Sequence, residues 1–549
     1  MKPWLDHYDP EVPYSISYRE ITVHQFLVDA ARKYPARAAL IFRDHELTYS
    51  ELNKLSSRLA AWLVQWGIKR GDRVAVLLPN IPQFVLVYYA ILKAGGVVVA
   101  LNPAYKLPEL KFLLDDSGAR MLIGLATQAD MLGSLKAETS VEGIVTTSLE
   151  DALSLSAINE LTGIFQGSVE SLLDILSIPW ELKTVLPEVS PLDSAVLQYT
   201  GGTTGTPKGA IGLHRNLTAN TQQFRAWLHG MVEGQEVVLA AIPLFHVYGM
   251  VIAMSLGVAL AASLVLIPNP GEVEDILRNI EKYKATMFPG VPTMYHTINH
   301  QPDVQAGKYN LRSIKACISG SAPLLRETKE AFERLTGGHL MEGYGLSEAP
   351  TATHCNPLTG ENRTGSIGLP LPDVDCKIVS LEDGKTPVEI GEVGELVLQS
   401  PQVMAGYHAQ TTETEEALKD GWLHTGDIAR MDADGYFYIV DRKKEMIKVG
   451  GLQVWPREVE EVLVLHPAVK EAAAAGIPDE TRGEAVKAWV VLKDGCIAES
   501  EEIQTFCRKY LANFKVPTEV EFRSSLPRTT VGKLLRRELQ REHREGIGQ

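Results

Sequence analysis

RVAVLLPNIPQFVLVYYAILKAGGVVVALNP, residues 73–103, decides the fold class. Its first and last parts, RVAVLLP and VVVALNP, are short runs of β-branched and aliphatic residues, the pattern of strands buried on both faces. Between them PQFVLVYYAILKAG opens on a proline suited to a first helical turn and closes on Gly95. A strand, a helix and a strand joined by so little chain imply a βαβ unit, and hence a parallel sheet.

Just upstream, LTYSELNKLSSRLAAWLVQWGI (47–68) carries Leu52, Leu55, Leu59, Leu63 and Trp66 on one helical stripe, with Ser50 as the expected cap and Gly67 as the stop. The alternation returns at VEDILRNIEKYKATMFPGVP (273–292) and LRSIKACISGSAPLL (311–325). Residues from about 125 to 190 carry weak signals and read as helical surface structure. Further on, DADGYFYIVDR (432–442) reads as a hairpin about Asp434-Gly435, and a helix is expected from Pro456. The chain changes character near Asp441, where a domain hinge is expected.

A chain of 549 residues exceeds what one core usually supports, so two or more domains are expected. The net charge of -15 argues against a nucleic-acid-binding face, which normally shows a basic stripe. Five scattered cysteines with no CxxC pair fit a reducing cytoplasm and no structural zinc. The N-terminal residues MKPWLDHYDPEVPYSISY lack the apolar centre of a signal peptide. From Val237 to Gly271 no charged residue occurs. Pro243 and Pro268 cut that run and no Lys/Arg cluster flanks it, so it reads as a buried helix and strand, not as a membrane span.

The chemistry is concentrated in short stretches. YTGGTTGTPKG (199–209) is neither strand nor helix by composition. Glycines admit close backbone approach, and hydroxyls and N–H groups suit anionic oxygen, so a phosphate cradle is the first reading. It is not the Walker pattern, because Lys208 follows a proline and precedes Gly209. EGYGLSE (342–348) offers Tyr344 for stacking and Glu348 as a single magnesium carboxylate, and SGSAP (319–323) offers a turn at a strand end. GWLHTGD (421–427) offers Asp427 for ribose hydroxyls, and PLFH ends on His246 at the mouth of an apolar stretch. PRTTVGK (527–533) places Lys533 where a cation could stabilise charge developing at phosphorus. Each of these alone also has an ordinary reading: a mobile surface loop for 199–209, a solvated turn for Glu348 and Asp427, a satisfied structural histidine for His246, and a solvated lysine among Arg528, Arg536 and Arg537 for Lys533.

Taken in order and at these separations, YTGGTTGTPKG, GYGLSE, GWLHTGD, IVDRKKEMIKVGG and PRTTVGK make the chain resemble the adenylate-forming acyl-CoA synthetase superfamily, most closely its long-chain fatty-acid CoA ligases. The resemblance implies the adenylate-forming α/β fold: a large N-terminal AMP-binding domain (1–441) of layered α/β subdomains with mainly parallel sheets and a smaller β-barrel-like part, then a small mobile α+β domain (442–549). It implies the substrates ATP, CoA and a fatty acid, with Mg2+ accompanying ATP. An acyl-adenylate forms first, and the CoA thiol then displaces AMP.

Carried over by position, the resemblance makes Thr200, Gly201, Gly202, Thr203, Thr204, Gly205, Thr206 and Lys208 the phosphate loop. It places Gly320, Ser321, Ala322, Gly343, Tyr344, Gly345, Ser347, Asp427 and Arg442 around the nucleotide, and Thr204 and Glu348 at the metal. Lys533, Glu348 and His246 become the catalytic set, Asp441 and Lys444 the hinge, and Lys448, Gly450 and Gly451 the CoA channel. Rival readings are a medium-chain or hydroxycinnamate-like acid ligase, or a silent acyl-adenylate-binding protein. Peripheral membrane contact and a homodimer stay open.

Overall fold

The computed structural model describes every residue except 1, 152, 154–168, 183, 201–206, 451, 480, 530–533 and 547–549. The chain divides into two compact units, one of Met1–Asp375 with Gln399–Leu423, the other of Cys376–Leu398 with His424–Gln549.

In the first unit, residues 73–103 form strand Arg73–Leu77, helix Pro82–Lys93 and strand Val97–Ala100, paired in parallel with Arg73 opposite Val97. They sit centrally in a seven-stranded sheet ordered Val169–Ser171, Gly143–Thr147, Met121–Leu125, Arg73–Leu77, Val97–Ala100, Ser194–Thr200, Lys208–Leu213. All neighbours are parallel except the last pair, which is an antiparallel hairpin. Two of these strands, Gly143–Thr147 and Val169–Ser171, lie where only helical surface structure was expected. Val169–Ser171, with three residues, cannot display a period, and Gly143–Thr147 has only Ile144 and Val145 as aliphatic residues.

The helix Tyr49–Trp66 has the expected stripe, with Leu52, Leu55, Leu59 and Leu63 fully buried. Its cap is Thr48 and not Ser50. The Thr48 hydroxyl accepts from the Glu51 N–H, and the Glu51 carboxylate accepts from the Thr48 N–H. This reciprocal arrangement satisfies two otherwise orphaned donors, which Ser50 inside the first turn cannot do. Gly67 ends the helix at φ +112.

Two further sheets of this unit are mixed. One is ordered Val237–Ala240, Ser263–Leu266, Ala38–Phe42, His45–Thr48, the other Ala316–Ser319, His339–Gly345, Ala352–Cys355, Leu369–Pro370. Single bridges through Met287 join Val238 to Ala316, where the sequence suggested a strand and Pro289 denies it a ladder. The uncharged run forms strand Val237–Ala240, a π-helix Gly249–Ser255 continued by Leu256–Ala259, and strand Ser263–Leu266, all deeply buried. No helix among the described residues is long and apolar enough to cross a membrane.

The second unit contains a sheet in which Asp375–Val379, Gly394–Gln399 and Trp422–Met431 are consecutive and Phe437–Arg442 pairs antiparallel with Trp422–Met431. The turn between the last two holds Gly435 at φ +85, as the Asp434-Gly435 reading expects. A five-stranded sheet follows, built on the long pair Val469–Asp479 and Gly483–Leu492 and packed against helix Pro456–Val464.

Candidate functional site

In the first unit the phosphate-loop reading lands on a hairpin. Tyr199-Thr200 and Lys208-Gly209 are strand residues, so the run is not wholly irregular, and Thr200 faces Lys208 across the ladder. The Thr200 hydroxyl donates to the Lys208 carbonyl at 3.4 Å. Gly201, Gly202, Thr203, Thr204, Gly205 and Thr206 lie outside the described residues, as do Gly451 and Lys533.

The second strand of that hairpin has another neighbour. Ala405 N–H donates to Ile211 O at 2.9 Å, Ile211 N–H to Gly406 O at 2.9 Å, and His408 N–H to Gly209 O at 2.8 Å. Tyr407 thereby lies beside Ala210, and its hydroxyl donates to Glu348 Oε1 at 2.8 Å. Lys208 Nζ stands 5.3 Å from the centroid of the Tyr407 ring and 4.0 Å from Glu413 Oε1. Burial and then the Glu348 charge push the Tyr407 phenol well above its ordinary range, so it is a donor at neutral pH. Met404 N–H donates to the Glu348 carbonyl at 2.8 Å, fixing the backbone of the acid as well. Sequence reasoning missed Tyr407 and Glu413. The stretch MAGYHAQTTET (404–414) has a Gly-Tyr step followed by an acid, a signal too common to stand out.

Tyr344 lies on strand His339–Gly345 opposite His354, their rings edge to face at 5.9 Å. Burial pushes the His354 imidazole down to about 3, so this neighbour is neutral. At Gly345 a Cβ would meet the Thr351 carbonyl oxygen at 1.7 Å, so only glycine allows the close approach of the two strands there. Ser347 and Glu348 follow in the turn. Strand Ala316–Ser319 runs parallel to the strand of Tyr344 and ends at Gly320, Ser321 and Ala322, a turn in which Ser321 has φ +71. This is the carboxyl end of a parallel pair, the position at which α/β sheets hold ligands.

His246 reaches that turn through its neighbour Tyr248. The Tyr248 hydroxyl donates to Ile318 O at 2.7 Å, and its ring lies against Gly320. Tyr248 N–H donates to His246 Nδ1 at 3.2 Å, which places the proton of the neutral ring on Nε2. Burial holds the His246 imidazole down at about 4. As an uncharged donor it can hydrogen-bond a carboxylate without pairing with it as a cation.

The second unit holds Asp427, Asp441, Arg442, Lys444, Lys448 and Gly450. Asp427 and Arg442 are partners in the antiparallel ladder, with Arg442 Nε 2.7 Å from Asp427 Oδ1. Asp441 is buried and accepts from the N–H groups of Arg442 and Arg457, each at 2.7 Å. Burial raises its carboxyl to about 6. Lys444 is exposed in a turn, beside Lys443, whose ammonium is 2.7 Å from the buried Glu395. Lys448 is exposed on strand Ile447–Val449, and Gly450 follows at φ +58 with its N–H donating to Arg482 O.

The first unit contributes one carboxylate suited to Mg2+, Glu348, with its Oε1 on Tyr407. Among the described residues no cluster of three or more His, Cys, Asp or Glu could hold a metal. A single carboxylate fits a Mg2+ that takes its other oxygens from phosphates and water.

Comparison with known proteins identifies the family and the fold. Residues 27–408 match the family model described as AMP-binding enzyme, and residues 458–533 that of the AMP-binding enzyme C-terminal domain. The long-chain-fatty-acid--CoA ligase of Bacillus subtilis (strain 168) is 44% identical over 99% of this chain and 98% of its own. That of Salmonella typhimurium (strain LT2) is 38% identical with the same coverage. The crystal structure of ATP-bound MatB from Rhodopseudomonas palustris superposes with TM-score 0.85 at 28% identity, over 96% of this chain and all of that one.

Proposed function

This chain belongs to the AMP-binding enzyme family, and on that premise we propose that it is an ATP-dependent ligase that joins a long-chain fatty acid to CoA. The acid's carboxylate oxygen attacks the α-phosphorus of ATP and pyrophosphate departs. The CoA sulfur then attacks the acyl carbonyl carbon, and AMP leaves.

The observation that carries this reading is that Lys208, which closes the Gly/Thr loop, and Glu348 both meet one side chain, Tyr407. A phosphate-binding cation and a single acid gathered on one tyrosine suit a metal-bound polyphosphate, while a binding-only site would have no need of a transition-state group such as Lys533. Lys208 and the loop hold the β- and γ-phosphates, and the glycines let the loop release pyrophosphate. Glu348 with Thr204 would hold Mg2+, which when bound neutralises phosphate charge. Tyr344 stacks on adenine, while Gly320, Ser321, Ala322, Gly343, Gly345 and Ser347 line the nucleotide. Asp427 and Arg442 serve the ribose. His246 orients the acyl carboxylate, and Lys533 stabilises charge developing at phosphorus. A first domain of 1–441 and a second of 442–549 pivot at Asp441 and Lys444, and Lys448, Gly450 and Gly451 then line the path of the CoA arm.

The long-chain preference follows the relatives, since residues 237–271 serve as core of the first unit. Each additional buried methylene would favour binding by about 0.8 kcal/mol. The test is a panel of fatty acids of increasing length plus a hydroxycinnamate, with MgATP, following pyrophosphate and thioester separately with and without CoA. Thioester formation that peaks at long chains is expected. A peak at the hydroxycinnamate or at medium chains would overturn the substrate class, and absence of pyrophosphate release with every acid would overturn the activity.

A further inference from the structure

We propose that Tyr407 is a positioning residue that holds Lys208 and Glu348 in fixed register, so that binding of metal-bound ATP depends on a side chain that need not touch the nucleotide. This rests on the functional reading above and adds to it the residue that couples its two charged groups.

Three contacts converge on Tyr407. The hydroxyl binds Glu348 Oε1 at 2.8 Å, which restrains the carboxylate while engaging only one of its two oxygens. The ring carries the Lys208 ammonium at 5.3 Å, a cation–π separation. The backbone of Tyr407 is itself pinned: its N–H donates to the Thr414 hydroxyl at 2.9 Å, and its flanking residues pair with Gly209 and Ile211. At Gly406, with φ +147, a Cβ would meet Thr414 Cγ2 at 2.8 Å, so the chain enters Tyr407 through a turn that glycine permits.

The physical need is clear from the charges. A closed ion pair between Lys208 and Glu348 would leave neither free for phosphate or metal; the ammonium instead lies over the Tyr407 ring and 4.0 Å from Glu413 Oε1. A neutral phenol between them satisfies the acid by a hydrogen bond and the cation by its π face, and both stay available. Hydrogen bonds to a charged group contribute more than neutral ones, so losing this one should weaken metal-dependent binding about ten-fold or more.

The test compares wild type with Tyr407→Phe, which removes the hydroxyl and keeps the ring, and Tyr407→Leu, which removes both. Binding of a non-hydrolysable ATP analogue is titrated calorimetrically with and without Mg2+, alongside thermal unfolding and steady-state KM values. Tyr407→Phe is expected to raise the Mg2+ concentration at half-saturation about ten-fold, with the KM for fatty acid and for CoA unchanged. Tyr407→Leu should also weaken the Mg2+-free analogue, through Lys208. In a Glu348→Gln background, Tyr407→Phe should add little. Unchanged Mg2+ dependence in a folded Tyr407→Phe protein overturns the proposal, and so does an equal loss for all three substrates with a lowered melting temperature. If wild type binds the analogue but releases no pyrophosphate with any acid, the ligase reading fails while the titration still decides the role of Tyr407.

Discussion

Arg442 and Asp427 face each other across an antiparallel ladder with guanidinium Nε and carboxylate Oδ1 2.7 Å apart, yet their side chains are 36% and 3% exposed. The pair is therefore lopsided: the cation can be solvated and the anion cannot. Removing Arg442 takes a close counter-charge from a buried carboxylate, whereas removing Asp427 leaves a cation that water can reach. Arg442→Gln is expected to lower stability by about 2 kcal/mol and Asp427→Asn by about half that or less, read from urea midpoints. The reverse order would show that the pair's burial is not what governs it.

Asp441 gives a pH signature of unusual sign. Its folded carboxyl titrates at about 6 because it is buried, against 3.8 ordinarily. Folding therefore takes up a proton between those values. The contribution of this group to stability is most favourable below about pH 4, declines as pH rises to about 6, and is constant above. The full change is about 3 kcal/mol. Asp441→Asn should gain relative to wild type between pH 4 and 7, in chemical unfolding measured at both ends. A difference that does not vary with pH would contradict the assignment.

Gly345 is expected to tolerate no side chain. A Cβ there lies 1.7 Å from the Thr351 carbonyl oxygen, a backbone atom that cannot swing aside. Gly345→Ala should push apart strands His339–Gly345 and Ala352–Cys355, cost about 3 kcal/mol or more, and displace Tyr344 from its place against His354. The checks are the melting temperature and the affinity for AMP, and retention of both would refute the steric argument.

Lys533→Ala discriminates a ligase from a silent binding protein. Loss of one charge-stabilising donor typically slows the step by about 100- to 1,000-fold. Pyrophosphate release should fall by that factor while ATP still binds, measured by single-turnover kinetics and calorimetry. Unchanged turnover would remove Lys533 from the chemistry.

Wherever a local period exists, the sequence was legible. The stripe from Leu52 to Leu63 forms the predicted helix, and residues 73–103 form the predicted βαβ unit, because burial on one face or throughout leaves a mark along the chain itself. The helix start was misplaced by two residues because Thr48 and Ser50 offer the same hydroxyl, although the T-x-x-E spacing of Thr48 and Glu51 marks the capping box that Ser50, followed three residues on by Asn53, lacks. Val169–Ser171 was missed because three residues display no period, and Gly143–Thr147 because Ile144 and Val145 are its only aliphatic residues.

The candidate site divides along the same line. Glycine-rich stretches with one acid or one lysine announced Lys208, Tyr344, Glu348 and Asp427, because close backbone approach to a ligand demands glycine whatever surrounds it. Tyr407 had no such mark. Its place depends on residues 405–408 pairing with 209–211, almost two hundred residues earlier, and on a hydroxyl meeting an acid fifty-nine positions away. The sequence by itself determined the class of sheet, the family and the groups that carry charge, since these are local properties of residue type and spacing. Tertiary structure alone decided which neutral side chain stands between the charges, because hydrogen bonds and π contacts act over a few ångströms and the chain must fold before those residues meet.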